Sequence, residues 1–238
     1  MHKHTSIISK MKVGQFDTAV KLAIPVTDLS GDVIGTLVPV GEWILNDAEK
    51  IEAIRTWRSK ARRMFLTQLD STYEQTWSYL QDVSIEQVNR LLFLLFDDTG
   101  KFVGHLGICN VTEDSCELDN LMRGASGGDP RLVYFAEGAM LDWCFAPLGV
   151  SSAHVSVLSY NWMVIDLHKE VGFFESSRKA LKKVVSDGLT THQVVDQVES
   201  NVGYAYVQMH LLKHVFLQKW CIPNVHFEAK PSPSSEVY

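Results

Sequence analysis

The chain has 238 residues, of which 46% are hydrophobic and 21% are charged, as in globular proteins large enough to bury a substantial core. The net charge of −6 disfavours a broad nucleic-acid-binding surface, which requires an excess of basic residues. No apolar run approaches the roughly 20 residues of a membrane span, so no membrane partner is expected. Because residues 1–5 lack the apolar core of a signal peptide, we expect a cytoplasmic protein.

The four cysteines are far apart in the sequence: Cys109, Cys116, Cys144 and Cys221. Three of them lie in apolar segments, which predicts reduced thiols in the core rather than disulfides or a zinc site. The histidines also lack the spacing of metal ligands, because His210 and His214 fall in a segment that reads as a strand. The sequence therefore predicts no metal.

The N-terminal part of the chain predicts a hairpin followed by a helix. Residues 1–16 have no clear periodicity and predict a loose lead-in. Residues 17–45 contain two β-rich runs around a Ser-Gly-Asp turn and predict a β-hairpin extension. From Asn46 the apolar residues recur at helical spacing.

The next segments predict a second helix and a β-meander. Residues 71–74 read Ser-Thr-Tyr-Glu, the pattern of a capping box at a helix N-terminus. Residues 90–96 and 102–111 flank a turn rich in Asp, Thr and Gly and predict a hairpin. Residues 116–121 then predict a third antiparallel strand.

A glycine-rich loop follows that strand. Residues 123–128 read Arg-Gly-Ala-Ser-Gly-Gly, and a helical pattern begins at about Arg131. Small residues allow backbone N–H groups to turn inward together, and the N-terminus of a following helix favours anions. The loop therefore predicts a phosphate or pyrophosphate site, although it lacks the P-loop ending and a clean G-x-G-x-x-G. A surface turn that merely uses glycine is the alternative.

The second half of the chain alternates helices and strands. Helical spacing continues to Cys144, residues 153–158 predict a strand, and Asn161 is a cap for a helix over residues 162–170 that ends at Gly172. Two further strands are predicted at residues 178–185 and 203–216, and residues 190–198 between them predict an excursion or a short helix. Residues 221–238 predict a tail with a disordered end.

This order of elements, together with three segments, resembles the GNAT superfamily of acyl-CoA-dependent N-acyltransferases over most of the chain. The segments are the strand and loop ELDNLMRG at residues 117–124, the helix after that loop, and residues 156–173, which end in Lys-Glu-Val-Gly-Phe. Arg123 and Gly128 match the family's loop pattern Q/R-x-x-G-x-G/A, whereas Ser126 replaces its middle glycine. The resemblance implies an α/β (α+β) domain over residues 46–220. Its mixed, mostly antiparallel twisted sheet would have helices on both faces and a splayed pair of central parallel strands.

The resemblance implies transfer of an acetyl group from acetyl-CoA, or from another acyl-CoA, to a primary amine. Direct attack would form a tetrahedral intermediate in the gap between the parallel strands, after Asp119 and after Val157. The resemblance assigns the CoA contacts to the strand end, the loop and one asparagine: Leu121, Met122, Arg123, Gly124, Ala125, Ser126, Gly127, Gly128 and Asn161.

Three titratable residues are candidates for the proton transfers. Under strict alternation Glu117, Asp119 and Leu121 share one face of their strand, and we expect Asp119 to be the base, with Glu117 as the substitute. His168 stands where the family commonly carries a tyrosine as general acid. Histidine can also donate a proton, and a packed core histidine is the alternative.

The pairing of Trp57-Arg58 and Arg62 with residues 117–124 resembles the branch of the family that acts on amino sugars, often nucleotide-linked. Arg58 and Arg62 would then contact the acceptor, and a solvated helix face is the alternative. His105 would face the acceptor cleft or serve as a buried structural residue.

Two other function classes stay open, namely acylation of a protein N-terminus or lysine, and CoA binding without catalysis. The N-terminal hairpin has three possible roles: it could extend the sheet, line the acceptor site or form a homodimer.

Overall fold

The computed structural model describes residues 3–186 and 189–220. The predicted tail at residues 221–238, with Cys221, lies outside the described residues. The α-helices are α1 (Lys3–Met11), α2 (Phe16–Lys21), α3 (Ala48–Lys60), α4 (Tyr73–Ser78), α5 (Leu132–Trp143), α6 (Trp162–Val171) and α7 (Lys213–Trp220). The strands are β1 (Ile24–Thr27), β2 (Val33–Pro39), β3 (Thr67–Gln68), β4 (Leu91–Asp97), β5 (Phe102–Cys109), β6 (Ser115–Arg123), β7 (Ser152–Leu158), β8 (Phe174–Ser186), β9 (Leu189–Val195) and β10 (Ala205–Leu212). Short 3₁₀ turns occur at Glu42–Asn46, Arg62–Met64 and Gln197–Glu199, and π-helical turns at Tyr79–Ile85 and Cys144–Leu148.

The described strands form one sheet of ten strands in the order β1-β2-β4-β5-β6-β7-β10-β8-β9-β3. Strands β4, β5 and β6 are joined by short connections and are antiparallel, whereas the crossover through α5 makes β6 and β7 parallel. All other neighbouring pairs are antiparallel. The predicted mixed and mostly antiparallel sheet is confirmed.

Helices cover both faces of this sheet, and an apolar cluster is buried on each face. On one face, here called the α5 face, α5 packs on the central strands together with α1, α6 and α7. On the other, here called the α3 face, α3 and the turn at Glu42–Asn46 pack on β2 and β4. Because α3 and α4 do not reach β7, β10 and β8, the polar side chains of those strands are left partly exposed on the α3 face.

The parallel strands β6 and β7 separate soon after they begin. They pair only at Ser115–Ser152, Cys116–Ala153 and Glu117–His154. Beyond Glu117 and His154 the two strands diverge, two or more residues earlier than the predicted separation after Asp119 and Val157. The sheet therefore opens at its centre.

The sequence prediction was wrong for both ends of the described chain. Residues 3–11 form α1, which buries Ile8 and Met11 in the core, instead of a loose lead-in. Residues 213–220 form α7 instead of continuing the last strand, so His210 and His214 lie on different elements. In both segments one apolar face packs on the sheet, and this tertiary contact outweighs weak local signals.

Three smaller differences concern element boundaries. The N-terminal hairpin is present, but it begins at Ile24, because residues 16–21 are helical. Residues 189–195 form β9 rather than a short helix. The capping box at α4 lies one residue later than predicted and uses Thr72 and Gln75 instead of Ser71 and Glu74.

Cys109, Cys116 and Cys144 are buried free thiols. Burial raises the pKa of Cys109 to about 12 and also raises that of Cys144, so these thiols are poor nucleophiles. Among the helices of the described residues, none has both the length and the apolar character that a membrane span requires.

Candidate active site

A cavity of about 770 Å³ occupies the opening between β6 and β7. Its walls come from the diverging strands, from α6, from β10 and from the segment after α3. The lining includes residues 118–123 and 155–158, Arg58, Ala61, Phe65, Asn161, Leu167, His168 and Tyr206. The wall is mainly apolar, with a few polar groups at defined positions, as is typical of a small-molecule site.

A β-bulge at Asn120 shapes one side of this cavity. The register between β5 and β6 shifts in this region, and Asn120 adopts a left-handed conformation with a φ of 56°. The extra residue reverses the alternation of side chains. Leu121 consequently packs on the α5 face with Leu118, so the prediction that it shares a face with Glu117 and Asp119 was wrong.

The side chain of Asn120 is held by hydrogen bonds on the α3 face. Its Nδ2 donates to the hydroxyl of Tyr79 at 2.9 Å and to Oδ2 of Asp119 at 2.7 Å. Its Oδ1 accepts a hydrogen bond from Nη1 of Arg58. These contacts fix the bulge, and with it the backbone that lines the opening.

The two candidate bases have different environments. Asp119 lies on the cavity wall, and its Oδ2 also accepts a charge-assisted hydrogen bond from Arg90. Glu117 lies outside the main cavity and accepts a hydrogen bond from Asn110 at 2.8 Å. Of the two carboxylates, only Asp119 therefore lies in the wall of the main cavity.

His105 is on neither cavity wall. It is 1% exposed, and its Nδ1 donates to the backbone carbonyl of Asn120 at 2.7 Å. Burial and the nearby Arg58 cation lower the pKa of His105 to about 4, so the ring is neutral at pH 7. Of the two predicted alternatives, the structure therefore places His105 as a buried residue that supports the bulge, and not in the lining of the main cavity.

The glycine-rich loop is folded around the side chain of Arg123. The guanidinium of Arg123 donates to the carbonyls of Gly127, Asp129 and Pro130. Arg123 and Pro130 line the main cavity, whereas residues 124–129 lie outside its wall.

The loop amides divide into two groups. The N–H groups of Gly124 and Ala125 donate to the carbonyl of Val103 at 2.8 and 3.0 Å, so they do not face a ligand as predicted. Gly124 is also confined by Trp57, because a Cβ atom at this position would lie 1.8 Å from the indole ring. Within the described residues, the N–H groups of the three loop residues from Ser126 to Gly128 donate to no acceptor. These three are the loop amides available to a phosphate.

His168 lies on the cavity wall opposite the bulge, on α6. Its Nδ1 is 2.7 Å from Oε1 of Glu137 on α5, and the two side chains are 1% and 0% exposed. Sequence reasoning selected His168 but not Glu137. A glutamate at a core position of the mostly apolar α5 was the signal that it needed a partner.

Asn161 and Tyr206 complete the polar lining. Asn161 stands at the N-cap position of α6, but its side chain makes no capping bond, so its amide is free to meet a ligand in the cavity. Sequence reasoning missed Tyr206, which points from β10 toward the same opening. Burial and the carboxylates of Glu117 and Asp119 raise the pKa of Tyr206 to about 12, so its hydroxyl stays protonated.

A second cavity of about 260 Å³ adjoins the first at Arg58. Arg58 and Arg62 are both in its wall, beside Phe65 and Tyr79 and several hydroxyl groups. The guanidinium of Arg58 stacks 4.5 Å from the Phe65 ring and 5.4 Å from the Tyr79 ring. The two predicted arginines are therefore brought together in one concave site.

Residues 61–68, here called the bridge segment, cross the cavity from α3 to the far part of the sheet. β3 at the end of this segment pairs with β9. His192 binds the carbonyl of Leu66 through its backbone N–H and its Nδ1, at 3.0 and 2.9 Å, and the hydroxyl of Tyr160 donates to the carbonyl of Arg63. The bridge segment thereby forms part of the cavity wall.

Solved structures share this fold at low sequence identity. A spermidine N-acetyltransferase from Vibrio cholerae in complex with CoA and spermine is 14% identical, with a TM-score of 0.57 over 77% of this chain and 98% of that chain. A probable GNAT-family acetyltransferase from Chromobacterium violaceum is 13% identical, with a TM-score of 0.59 over 84% and 88%. A nucleotide-linked sugar GNAT is 13% identical, with a TM-score of 0.55 over 79% and 92%. A comparison with curated proteins found no match.

A sheet opened between two parallel strands, with a glycine-rich loop and a helix after the first, defines the class of acyl-CoA-dependent N-acyltransferases. Residues 41–174, more than half of the chain, match the sequence model of the acetyltransferase (GNAT) domain. The chain belongs to the GNAT acetyltransferase family. Among the described residues, no group of three or more His, Cys, Asp or Glu side chains is arranged to hold a metal ion.

Proposed function

We propose that this protein transfers an acetyl group from acetyl-CoA to the primary amine of a small anionic acceptor, specifically an amino sugar linked to a nucleotide. The observation that carries the proposal is the cation at the junction of the two cavities. Arg58 contributes to both walls and is positioned to bind a phosphate while the amine reaches the opening between the strands.

The partners of Arg58 favour an anionic ligand. Its hydrogen-bond acceptor is the neutral amide of Asn120, and among the described residues no carboxylate forms an ion pair with it. By contrast, Arg62 lies 3.3 Å from Asp70, and Arg55 lies 2.5 Å from Glu52. A half-buried guanidinium between two aromatic rings is a strong site for a phosphate or carboxylate.

The same charge disfavours a polyamine acceptor. The Vibrio cholerae neighbour was solved with spermine, which is a polycation. Another neighbour is described as a nucleotide-linked sugar GNAT, and nucleotide-linked sugars carry negatively charged phosphates. A polycation in the second cavity would be repelled by Arg58 and Arg62, because no carboxylate is among the residues that line that cavity in the described part of the chain. We therefore favour the nucleotide-linked sugar.

The bridge segment favours a small acceptor over a polypeptide. It lines the cavity and is hydrogen-bonded to β9 and Tyr160, so within the described residues it occupies space on the α3 face that an extended peptide would need. Protein or peptide acetylation remains the second candidate, and CoA binding without turnover the third.

In the proposed reaction, Asp119 accepts a proton from the acceptor ammonium, directly or through water, and the free amine attacks the thioester carbon. Glu117 is the substitute base. Backbone at residues 121–123 and the amide of Asn161 position the pantetheine and the thioester. The three loop amides from Ser126 to Gly128 bind the diphosphate of CoA. As the tetrahedral intermediate collapses, His168 protonates the departing sulfur.

The test is free-thiol release from acetyl-CoA with a panel of amino-sugar nucleotides, free amino sugars, polyamines, amino acids and peptides. Release with amino-sugar nucleotides supports the proposal. Release with peptides or polyamines alone contradicts the proposed nucleotide-linked acceptor. No release with any amine supports the alternative that the protein binds CoA without catalysis.

Arg58→Gln, with Arg55→Gln as the matched control on the same helix, locates the anion site. We expect Arg58→Gln to raise KM for the acceptor about 10- to 100-fold, because a charged hydrogen bond is lost. KM for acetyl-CoA should change little in Arg55→Gln, and it should rise less than KM for the acceptor in Arg58→Gln, because Asn120 keeps its bonds to Tyr79 and Asp119. An equal rise for both substrates would indicate a damaged fold.

A further inference from the structure

We propose that Glu137 is a positioning residue that holds His168 doubly protonated, with its Nε2–H available to the sulfur of CoA. The inference rests on the proposed function, in which His168 is the proton donor. It adds a second residue, on a different helix, which decides the protonation state of the first.

The burial of Glu137 is the first argument. Its helix reads Leu-Val-Tyr-Phe-Ala-Glu-Gly-Ala-Met-Leu-Asp-Trp, and its side chain is 0% exposed among apolar neighbours. An isolated carboxylate at such a position costs several kcal/mol, so it needs a partner able to carry positive charge. Within the described residues, its only hydrogen-bond partner is His168, and its Oε2 has none.

The geometry of His168 is the second argument. Nδ1 is engaged by Glu137 at 2.7 Å, and the Phe173 ring lies edge-on at 5.5 Å, so the orientation of the imidazole is fixed. Because His168 is also part of the cavity wall, Nε2 is the ring nitrogen left for a group in the cavity. A carboxylate behind an imidazole favours the imidazolium form.

The other charged groups near the pair do not replace Glu137. Arg131 and Glu170 neutralise each other at 2.5 Å on the surface, and Lys169 lies near Asp166 on the exposed side of α6. Tyr134 on α5 stays protonated, because burial raises its pKa. Across the cavity, the lining carries Arg58, Arg123, Asp119 and the hydroxyl of Tyr206.

The proton step is balanced as follows. When the tetrahedral intermediate collapses, the carbon–sulfur bond breaks and its electron pair moves to sulfur. The Nε2 proton of His168 is transferred to that sulfur, giving free CoA thiol and a neutral imidazole. The ring regains a proton from solvent, and the proton lost by the acceptor amine leaves through Asp119.

The test compares Glu137→Gln with Glu170→Gln, the matched removal of a carboxylate on α6 that does not face the cavity. Glutamine keeps an acceptor for Nδ1 but removes the charge. We expect kcat of Glu137→Gln to fall at least about tenfold at pH 8, and the loss of activity at high pH to begin about one unit lower or more. Glu170→Gln should follow the wild-type profile.

Nitrogen-15 NMR of the histidine rings gives a readout that does not depend on activity or on the acceptor. The signal of His168 is assigned by its loss in His168→Asn. We expect protonation of both ring nitrogens in the wild-type protein at pH 7.5, and a neutral ring in Glu137→Gln. If Glu137→Gln does not fold, the wild-type spectrum alone shows whether both ring nitrogens of His168 are protonated.

A neutral His168 ring in the folded wild-type protein overturns the proposal, and so does a pH profile that Glu137→Gln leaves unchanged. A charged ring in a protein that acetylates no amine has a different meaning. In that case the pairing is correct and the proposed function is wrong.

Discussion

Two regions on opposite faces of the sheet each contain a buried histidine, and the two histidines are equally inaccessible, each being 1% exposed. On the α3 face, His105 donates to a neutral backbone carbonyl and lies near a cation, Arg58. On the α5 face, His168 meets the carboxylate of Glu137. Burial is the same in both regions, so the two rings differ in their hydrogen-bond partners.

Under the proposed function, this difference separates a structural histidine from a proton donor. His105 is neutral, lies off the cavity wall and holds the bulge at Asn120, which shapes the β6 side of the opening. His168 lies on the wall, and its Nδ1 meets a carboxylate that we propose to hold the ring charged. In the proposed function, the α3 region is a scaffold for the acceptor, and the α5–α6 region supplies a proton.

The largest effect on stability is expected from Gly124→Ala, which disrupts the packing of the loop on Trp57. A Cβ atom there would lie 1.8 Å from the Trp57 ring, so Gly124→Ala must displace the indole from Phe102 and His105. We expect the free energy of unfolding to fall by about 3 kcal/mol or more, measured by urea denaturation.

Gly203→Ala is the control, because no atom lies within 4 Å of a Cβ atom at that position. Trp57→Leu in the Gly124→Ala background should recover part of the loss. An equal cost for both glycines would contradict the close packing of the loop on α3.

The second prediction concerns pH and the neutral His105. Because its pKa is lowered to about 4 in the folded protein, the unfolded chain binds a proton first as the pH falls below about 6.5. Stability should therefore be retained above pH 6.5 and lost progressively toward pH 4. We expect His105 to contribute about 2 to 3 kcal/mol of this loss between pH 7 and 4.5.

Urea denaturation of wild type and His105→Asn over this range isolates that contribution, since an asparagine amide can still donate to the Asn120 carbonyl. The slope of stability against pH should be smaller in the variant. Identical slopes would mean that His105 is not held neutral.

The third prediction tests the two carboxylates on β6. We expect Asp119→Asn to lower kcat about 100-fold, or about 2.7 kcal/mol in the activation free energy, because only Asp119 lies on the main cavity wall. Glu117→Gln should lower kcat less than about tenfold. Thiol release measures both, and an unchanged KM for acetyl-CoA shows that the opening is intact. A larger loss in Glu117→Gln would reverse the assignment.

The order of elements was predictable from the sequence because it depends on local signals, whereas the central opening was implied by the resemblance to the GNAT superfamily. Periodicity, turn residues and the Gly172-Phe173 corner lie within short windows, and they gave the meander, the loop and the helices that follow. Terminal segments were predicted poorly, since α1 and α7 form through contacts with distant parts of the sheet.

The details of the site depend on longer-range contacts. The bulge at Asn120 adds one residue to β6 and cannot be read from alternating polarity, so Leu121 was assigned to the wrong face. The pairing of Glu137 with His168 spans two helices. The hydrogen bond from the Gly124 N–H to the Val103 carbonyl depends on the neighbouring strand β5. The sequence analysis predicted Asp119, His168 and Arg58 as site residues, but it did not predict the groups that hold their side chains.

The most direct test of the account is a crystal structure of the protein with acetyl-CoA. The account predicts the thioester between β6 and β7, the diphosphate at the amides of Ser126 to Gly128, and the sulfur within hydrogen-bond distance of Nε2 of His168. A CoA molecule bound elsewhere, or a sulfur remote from His168, would contradict the account.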